Sequence, residues 1–328
     1  RIAIERWRNY FPDLDEKAEA LADEMRLSRG DLGVALNDRL REKHQLTVRI
    51  LPQEVMPDLL RRLDLHARQL QLSEMLSPAS RNFQVAIQIA RLEQQADIAN
   101  IADGSDAGTG AARVLLERHL AAYFAAALLM PYSRFLRACD ATGYDLPVLQ
   151  RRFGVSFEQM AHRLTTLQRV GQRGLPFFMA RIDRAGQFSK RFAGASGATL
   201  LESDASCPLW VANSAFERPH ETHTQAIFAD SVDGGPQHWF TIAQTVDGSG
   251  TVGGTARFAI VLGLESRFAS TLSAARGVSL DDQTAQTIGL GCARCHRQAC
   301  RQRSLPPRGA QLNFDGASRG VTPFAFGS

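Results

Sequence analysis

Apolar residues recur at helical spacing through the first half of the chain and alternate through much of the second. In "FPDLDEKAEALADEM", Leu14, Ala18, Leu21, Ala22 and Met25 make one stripe behind an Asp-rich start, which predicts a helix. "LSRGDLGVALNDRLREKH" predicts another, with Ser28 as a candidate N-cap. The stretch Gln45 to Gln53 alternates like a strand, and Pro52 closes it. Arg61 to Leu76 gives a second strand or a hairpin. A helix is expected from Ser80 to Ile101, then a break at "ADGSDAGTGA", then a helix from Ala111 to Met130 stopped by Pro131. Short helices continue to Val170. Beyond Gly171 the pattern becomes strand-like: "FFMARIDRAGQFSKRF" reads as strand, glycine turn and strand, and "HWFTIAQTVD" and "ARFAIVLGLE" as two more. The expectation is an α+β chain with a domain boundary near Gly171. It has a helical linker over 1–45, a mostly helical domain with a small sheet over 46–170, and a sheet-containing domain over 171–328.

Several motifs within this frame have competing readings. Two short helices around Ser-Arg-Gly raise a DNA-reading helix-turn-helix. The second helix carries Asp31, Asn37, Asp38 and Glu42, an acidic face that repels phosphate, so a plain helical hairpin is expected. Gly248, Gly250 and Gly253 spell G-x-G-x-x-G. A dinucleotide site needs a helix to follow, and here a strand follows, so a hairpin loop is expected. His220 and His223 of "HETH" are assigned to a polar loop, and His119 and His162 to structural roles. "LAAYFAAALLM" is too short to span a bilayer and reads as a buried helix. No secretory signal is present, and the opening on Arg1 reads as a fragment of a longer chain.

Charge changes this picture little: a net +4 permits a polyanionic partner without demanding one. Cysteine changes it more. Five cysteines are too few for a disulfide framework and fit a reducing cytoplasm. Cys292, Cys295 and Cys300 fall in one short stretch, "GCARCHRQACRQR", among Arg294, Arg297, Arg301 and Arg303. Such a loop supplies three soft ligands. Zinc wants four N/S donors and a cubane iron–sulfur cluster wants four thiolates. Cys207 of "DASCPLW" is the candidate fourth ligand, and His296 is the alternative for zinc. The arginines are expected to offset thiolate charge. Cys139 follows an apolar helix and reads as a buried structural thiol.

Five stretches together resemble one family: "LSEMLSPASRNFQVAIQIARLE", "LAAYFAAALLMPYSRFL", "HRLTTLQRVGQRGLPFFMARIDRAGQFSKRF", "CPLW" and "GCARCHRQACRQR". The chain resembles the short-chain fatty acyl regulators, bacterial transcription factors that include propionate and methylcitrate cycle regulators. The resemblance implies an N-terminal helix-turn-helix domain absent from this sequence, then a degenerate IrrE-like metallopeptidase domain, then a family-specific C-terminal domain. At the positions of the peptidase H-E-x-x-H stand Ile87, Gln88, Ile89, Ala90 and Arg91, so metal-water hydrolysis has neither ligand nor base there. For the acidic ligand of the next helix the candidates are Glu117 and His119.

The resemblance further implies a sensor of short-chain acyl-CoA, such as propionyl-CoA, with a [4Fe-4S] cluster on Cys207, Cys292, Cys295 and Cys300. It implies a DNA partner through the absent domain and a dimer or tetramer, with no membrane partner and no catalysis. Basic residues next to aromatic ones suit phosphates and a stacking base. The candidates are Arg134, Arg181, Lys190 and Arg191 for phosphate, and Tyr132 and Phe135 for stacking or an acyl pocket, with the ligand between the two domains. A zinc-stapled acyl-CoA-binding module and an acyl-CoA-transforming enzyme remain the alternatives.

Overall fold

A computed structural model describes residues 2–27, 30–105, 108–229, 237–248, 256–281, 283–322 and 325–327. The chain divides into two compact units, one of Arg1–Gly174 with Asp247–Ala256, the other of Leu175–Val246 with Arg257–Ser328. The chain first passes between them after Gly174.

The first unit opens with α1 (Ile2–Arg6), α2 (Pro12–Glu24) and α3 (Leu32–His44). Proline at the first turn of α2 costs no hydrogen bond, since those amides have no helical partner anyway. Ser28 lies outside the described residues; the cap of α3 is Asp31, whose side chain accepts from the Val34 amide. The expected linker is part of the unit, for α2 packs on α6 (Ala111–Leu129) and α3 on α4 (Pro78–Glu93). Between α3 and α4 lies a small sheet of β1 (Thr47–Leu51), β2 (Arg61–Asp64) and β3 (Gln69–Ser73), in the order β1-β3-β2. The stretch Arg61 to Leu76 is thus a hairpin, β2 antiparallel to β3, with β1 parallel to β3 on the other side.

The helix expected from Ser80 to Ile101 is two. α4 ends at Gln94, which leaves helical geometry, and α5 (Gln95–Asp103) starts anew. α6 is apolar on every side from Leu120 onward and forms the centre of the unit, with Tyr123, Phe124 and Leu128 fully buried. Pro131 ends it, and α7 (Tyr132–Thr142), α8 (Leu146–Phe153) and α9 (Phe157–Leu164) follow. Among the described residues no single helix is long and apolar enough to cross a membrane.

Among the described residues of this core one pair of charged side chains is fully buried. Asp15 of α2 and Arg163 of α9 are both inaccessible, and Arg163 donates to the Asp15 carboxylate through Nη1 at 2.7 Å and Nη2 at 2.9 Å. Arg163 also donates to the Met130 carbonyl at 3.0 Å and to Thr166 Oγ1 at 3.0 Å. The Tyr123 hydroxyl donates to Asp15 at 2.5 Å and accepts from the Phe11 amide at 3.2 Å. Burial, and after it the Asp15 charge, holds the Tyr123 phenol well above its ordinary range, so it stays a donor.

The second unit is built on a six-stranded sheet of β4 (Phe178–Ile182), β5 (Phe188–Phe192), β6 (His223–Ala229), β7 (Gln237–Asp247), β8 (Arg257–Glu265) and β9 (Gln286–Ile288), ordered β5-β4-β8-β7-β6-β9. A short α10 (Val211–Ser214) and a two-stranded ribbon of β10 (Leu312–Asn313) and β11 (Ala325–Phe326) complete it. One sheet face, with Phe178, Ala180, Ile182, Trp239 and Val261, buries Leu200, Leu201, Cys207 and Trp210. β6 begins at His223, so "HETH" is no plain loop; His223 is buried and contacts the Arg218 carbonyl at 3.2 Å. Of the three motif glycines, Gly250 and Gly253 lie outside the described residues. β7 and β8 on either side are sheet neighbours, and the Gly248 amide donates to the Ala256 carbonyl at 2.6 Å.

The Asp15–Arg163 pair gives a stability test. Asp15→Asn leaves a buried guanidinium without its anion and is expected to cost about 3–5 kcal/mol in urea unfolding. Replacing both residues by apolar ones of similar volume is expected to recover most of that loss.

Candidate functional sites

The cysteine-bearing loops are held to each other by backbone contacts. Gly291 has φ +84° and lies so close to residue 205 that an added Cβ would sit 2.5 Å from the Ala205 carbonyl oxygen. Ser203 Oγ donates to the Leu290 carbonyl beside it. Cys207 sits on a loop that Gln225 of β6 clamps: its side chain accepts from the Val211 amide at 2.8 Å and donates to the Leu209 carbonyl at 3.0 Å. The Cys207 carbonyl accepts from the Asn213 side chain at 2.8 Å and the Trp210 amide at 3.0 Å.

Burial pushes the Cys207 thiol up; the Gly289 and Leu209 amides, which donate to its sulfur, pull it down; Cys295 and Cys292 push it up again by like charge. Cys207, Cys292 and Cys295 are therefore electrostatic neighbours. The Ser304 amide donates to Cys292 Sγ at 3.4 Å. Cys207 and Cys295 are buried, Cys292 and Cys300 half-exposed, and none is in a disulfide. In kind these donors suit a soft metal or an iron–sulfur cluster, with amide N–H groups aimed at sulfur. In placement they fall short: among the described residues no three His, Cys, Asp or Glu side chains are grouped to hold a metal ion. Cys139 is fully buried in the first unit, and burial lifts its thiol far above the ordinary range.

The arginines around the cysteines clasp backbone carbonyls. Arg303, 4% exposed, donates to the carbonyls of Cys292 at 3.2 Å, Cys295 at 2.8 Å, Arg297 at 2.8 Å and Leu305 at 3.1 Å. Its guanidinium also lies over the Phe326 ring at 4.8 Å. Arg294 donates to the Glu202 carbonyl at 2.9 Å and Arg297 to the Thr287 carbonyl at 2.5 Å. A loop with almost no regular structure leaves carbonyls unpaired, and guanidinium forks satisfy them. Arg301 is exposed.

Of the expected ligand residues, Tyr132 and Phe135 are corrected to core. Both are fully buried on the inward stripe of α7. The Tyr132 hydroxyl donates to the Gln172 carbonyl at 2.6 Å and accepts from the Arg169 amide at 2.8 Å, and burial pushes it up to about 12. Phe135 meets Phe153 edge-on at 5.1 Å. Neither ring has a face left for a ligand.

Arg134 lies over Phe153 at 5.1 Å, held below its usual range by burial and then by the Arg152 charge. It lines a cleft of about 620 Å³ with Arg137, Glu16, Glu19 and Asp23. Burial opposes the Glu19 charge, but the Ser133 amide and Arg169 outweigh it and hold the carboxyl low. Three carboxylates make this cleft a poor host for phosphate.

Arg191 is corrected to a structural role, donating to the Leu201 carbonyl at 3.0 Å and the Ser203 carbonyl at 2.7 Å. Arg181 and Lys190 stand directly opposite each other across β4 and β5, with Arg181 over the Phe258 ring at 3.7 Å. They form a basic pair on an aromatic platform.

The peptidase-type positions of α4 have also been rebuilt. Ile89 and Ala90 are core, and Gln88 is 3% exposed and accepts from Nη1 of Arg61. Neither candidate for the acidic ligand faces a metal site. Glu117 pairs with Arg113 at 2.9 Å, and His119 contacts Asn9 Oδ1 at 2.9 Å. Sequence reasoning missed Arg61 and Arg118 as neighbours of this stretch. They lie on separate elements, and no local motif joins them.

The architecture defines a class: an IrrE-like domain stripped of the H-E-x-x-H side chains, followed by a cysteine-bearing sheet unit. Residues 41–165 match the IrrE N-terminal-like domain, and residues 166–324 match the C-terminal domain of the short-chain fatty acyl coenzyme A regulators. The chain belongs to the short-chain fatty acyl-CoA regulator family. It is 37% identical over 97% of its length to the HTH-type transcriptional regulator PrpR of Mycobacterium tuberculosis, covering 65% of that protein. With RamB of the same organism, likewise an HTH-type transcriptional regulator, identity is 39% over 97% of this chain and 67% of the relative. With a propionyl-CoA carboxylase regulator of Cereibacter sphaeroides it is 35% over 96% of this chain and 66% of the relative. The chain thus spans about two thirds of these relatives. A solved structure of a Mycobacterium tuberculosis transcriptional regulator superposes with a TM-score of 0.89 at 35% identity, covering 98% of this chain and 97% of that one.

Thiol chemistry tests the placement of the cysteines. In metal-free folded protein, Cys292 and Cys300 are expected to react first with a disulfide reagent, and Cys139 and Cys207 only on unfolding. Equal rates at all five would contradict the burial described. Arg303→Gln, by freeing four carbonyls, is expected to expose Cys295 to the reagent and to cost about 1.5–3 kcal/mol.

Proposed function

We propose that this chain is the ligand-sensing effector region of a bacterial transcription regulator that binds short-chain acyl-CoA, propionyl-CoA among them. In this reading it controls genes of short-chain fatty acid catabolism. One observation carries it: nearly the whole chain aligns with proteins named as transcriptional regulators, one of them a propionyl-CoA carboxylase regulator. The rebuilt α4 supports a binding role over a hydrolytic one. DNA contact then belongs to a domain outside this sequence, the compartment is the cytoplasm, and a dimer or tetramer suits a palindromic operator.

Arg181 and Lys190 are the residues proposed for the ligand's phosphates, with Phe258 beside them as an apolar platform. Arg134 is a weaker choice because of the carboxylates in its cleft. Cys207, Cys292, Cys295 and Cys300 are proposed to hold a [4Fe-4S] cluster, which when bound supplies a covalent staple and a one-electron redox centre. Three features of the chain support that donor set: amides aimed at two of the sulfurs, the like-charge coupling of Cys207 to Cys292 and Cys295, and the buried Arg303. Among the described residues Arg303 has no carboxylate partner, and a buried cation of that kind favours anionic sulfur nearby. Acyl-CoA switches DNA binding only if it prefers one conformation of the regulator over another.

Isothermal titration with propionyl-CoA is expected to show saturable binding, weakened about tenfold by Arg181→Gln or Lys190→Gln, a loss of about 1.4 kcal/mol. No heat and no thermal shift across a series of acyl chain lengths would remove the sensor reading. Anaerobic purification is expected to give brown protein with broad visible absorbance. Colourless protein with stoichiometric zinc would establish the zinc-stapled module instead. Turnover of acyl-CoA seen by mass spectrometry would make the chain an enzyme.

A further inference from the structure

The small sheet of the first unit ends in an open edge. In the order β1-β3-β2, no strand among the described residues lies beyond β2. On its inner side the Leu60 carbonyl accepts from the Ser73 amide of β3 at 3.0 Å. Backbone groups alternate along an antiparallel strand, so those of Arg61 and Leu63 turn outward, away from β3. Side chains alternate too. Arg61 and Leu63 share the face of the buried Leu70 and Leu72, while Arg62 and Asp64 share the polar face of Gln69 and Gln71. The flanking Leu59, Leu60 and Leu65 are exposed.

An apolar open edge pairs readily with another strand, and a charged side chain is a common guard against it. The exposed Arg62 alone would be such a guard. Asp64 stands two residues on, on the same face. Arg62 donates to Gln71 at 2.7 Å and Asp64 accepts from the Ala67 amide at 2.9 Å, but among the described residues neither is in an ion pair. The edge is therefore its own complement. Laid antiparallel on a second copy about Leu63, it sets leucine against leucine, and Arg62 of each copy against Asp64 of the other. Both charge pairs then fall on the polar face and the leucines on the apolar one. Centring on Arg62 instead sets arginine against arginine, and centring on Asp64 sets aspartate against aspartate. The other edge, β1, carries Arg49 and no acid.

We infer that β2 is a docking edge for a second copy of this chain, the two small sheets joining about a twofold axis into one of six strands. The outward amide and carbonyl of Leu63 make the central hydrogen bonds, and Leu59, Leu60 and Leu65 supply apolar area for the second copy to cover. The inference names a surface for the dimer or tetramer of the proposed function and does not rest on acyl-CoA sensing.

Sedimentation velocity of the full chain over a concentration series tests it. The contact is small, so a dimer that dissociates at about micromolar concentration is expected. Arg62→Glu and Asp64→Lys each turn two attractions into two repulsions, and each is expected to weaken the dimer about tenfold or more. Mixed together, the two variants are expected to form a heterodimer as tight as the parent. The introduced glutamate then meets the introduced lysine, and the native Asp64 meets the native Arg62. Asp64→Lys also removes the acceptor of the Ala67 amide, so hydrogen exchange of the parent gives a reading that needs no variant. The Leu63 amide is expected to gain protection as concentration rises. A dimer equally tight in Arg62→Glu, a mixture no tighter than either variant, or exchange at Leu63 that ignores concentration overturns the β2 edge and leaves an oligomer through another surface. A parent that stays monomeric to about 100 μM overturns the edge and the dimer together, and leaves the calorimetric test of acyl-CoA sensing untouched.

Discussion

The buried pair of Asp15 and Arg163 is the interaction on which the first unit depends. Two inaccessible charges are tolerable only if every donor and acceptor is used, and here they nearly are. The carboxylate takes a guanidinium fork and the Tyr123 hydroxyl, and the guanidinium also reaches the Met130 carbonyl, where α6 stops. One network therefore ties α2, α6 and α9 at fixed positions. It also draws α2 into the core, within a stretch whose helical patterning alone suggested a linker. Packing of apolar helices is tolerant of sliding and rotation; a bidentate buried pair is not, so it sets the register.

The second unit meets the opposite problem. Its sheet is regular, but the chain beyond it from Ile288 has almost no secondary structure, and its carbonyls need donors. Arg303, Arg297 and Arg294 supply them. This gives the "GCARCHRQACRQR" loop a framework that precedes any metal. The arginines that seemed placed for thiolate charge are first of all a lattice of carbonyl clasps. Gly291 completes it, because a side chain at that position would strike the Ala205 carbonyl. A metal at the cysteines would tighten a loop already held, and its thiolate ligands would balance the charge of Arg303.

Both units carry cationic groups in excess, but differently arranged. Arg181 and Lys190 face each other across two strands with an aromatic ring beneath, which suits a ligand with phosphates and a flat apolar part. Arg61 reaches the buried Gln88 amide on a scaffold that matches the IrrE N-terminal-like domain.

Much was legible from the sequence. The helices over α2, α6 and α7 to α9, the hairpins β2–β3 and β4–β5, and the strands β7 and β8 follow from period alone, because each buries one stripe or face. The family followed from motifs spread over the whole chain. Other features had no local signal. The break of α4 at Gln94 lies inside an unbroken helical pattern. β6 was hidden because its first turn reads as polar, and pairing with β7 and β9 makes it a strand. Tyr132 and Phe135 sit beside Arg134 in sequence and looked like a ligand cluster; helical geometry sends the aromatics inward. Which arginines are spent on carbonyls, as Arg191 and Arg303 are, and which are left unpaired by acids, as Arg61, Arg91 and Arg118 are, is a property of partners distant in sequence. Residue type and spacing decided the elements and the chemistry available. Only the tertiary structure decided which groups meet, because the energy of a charge lies in its surroundings and not in its place along the chain.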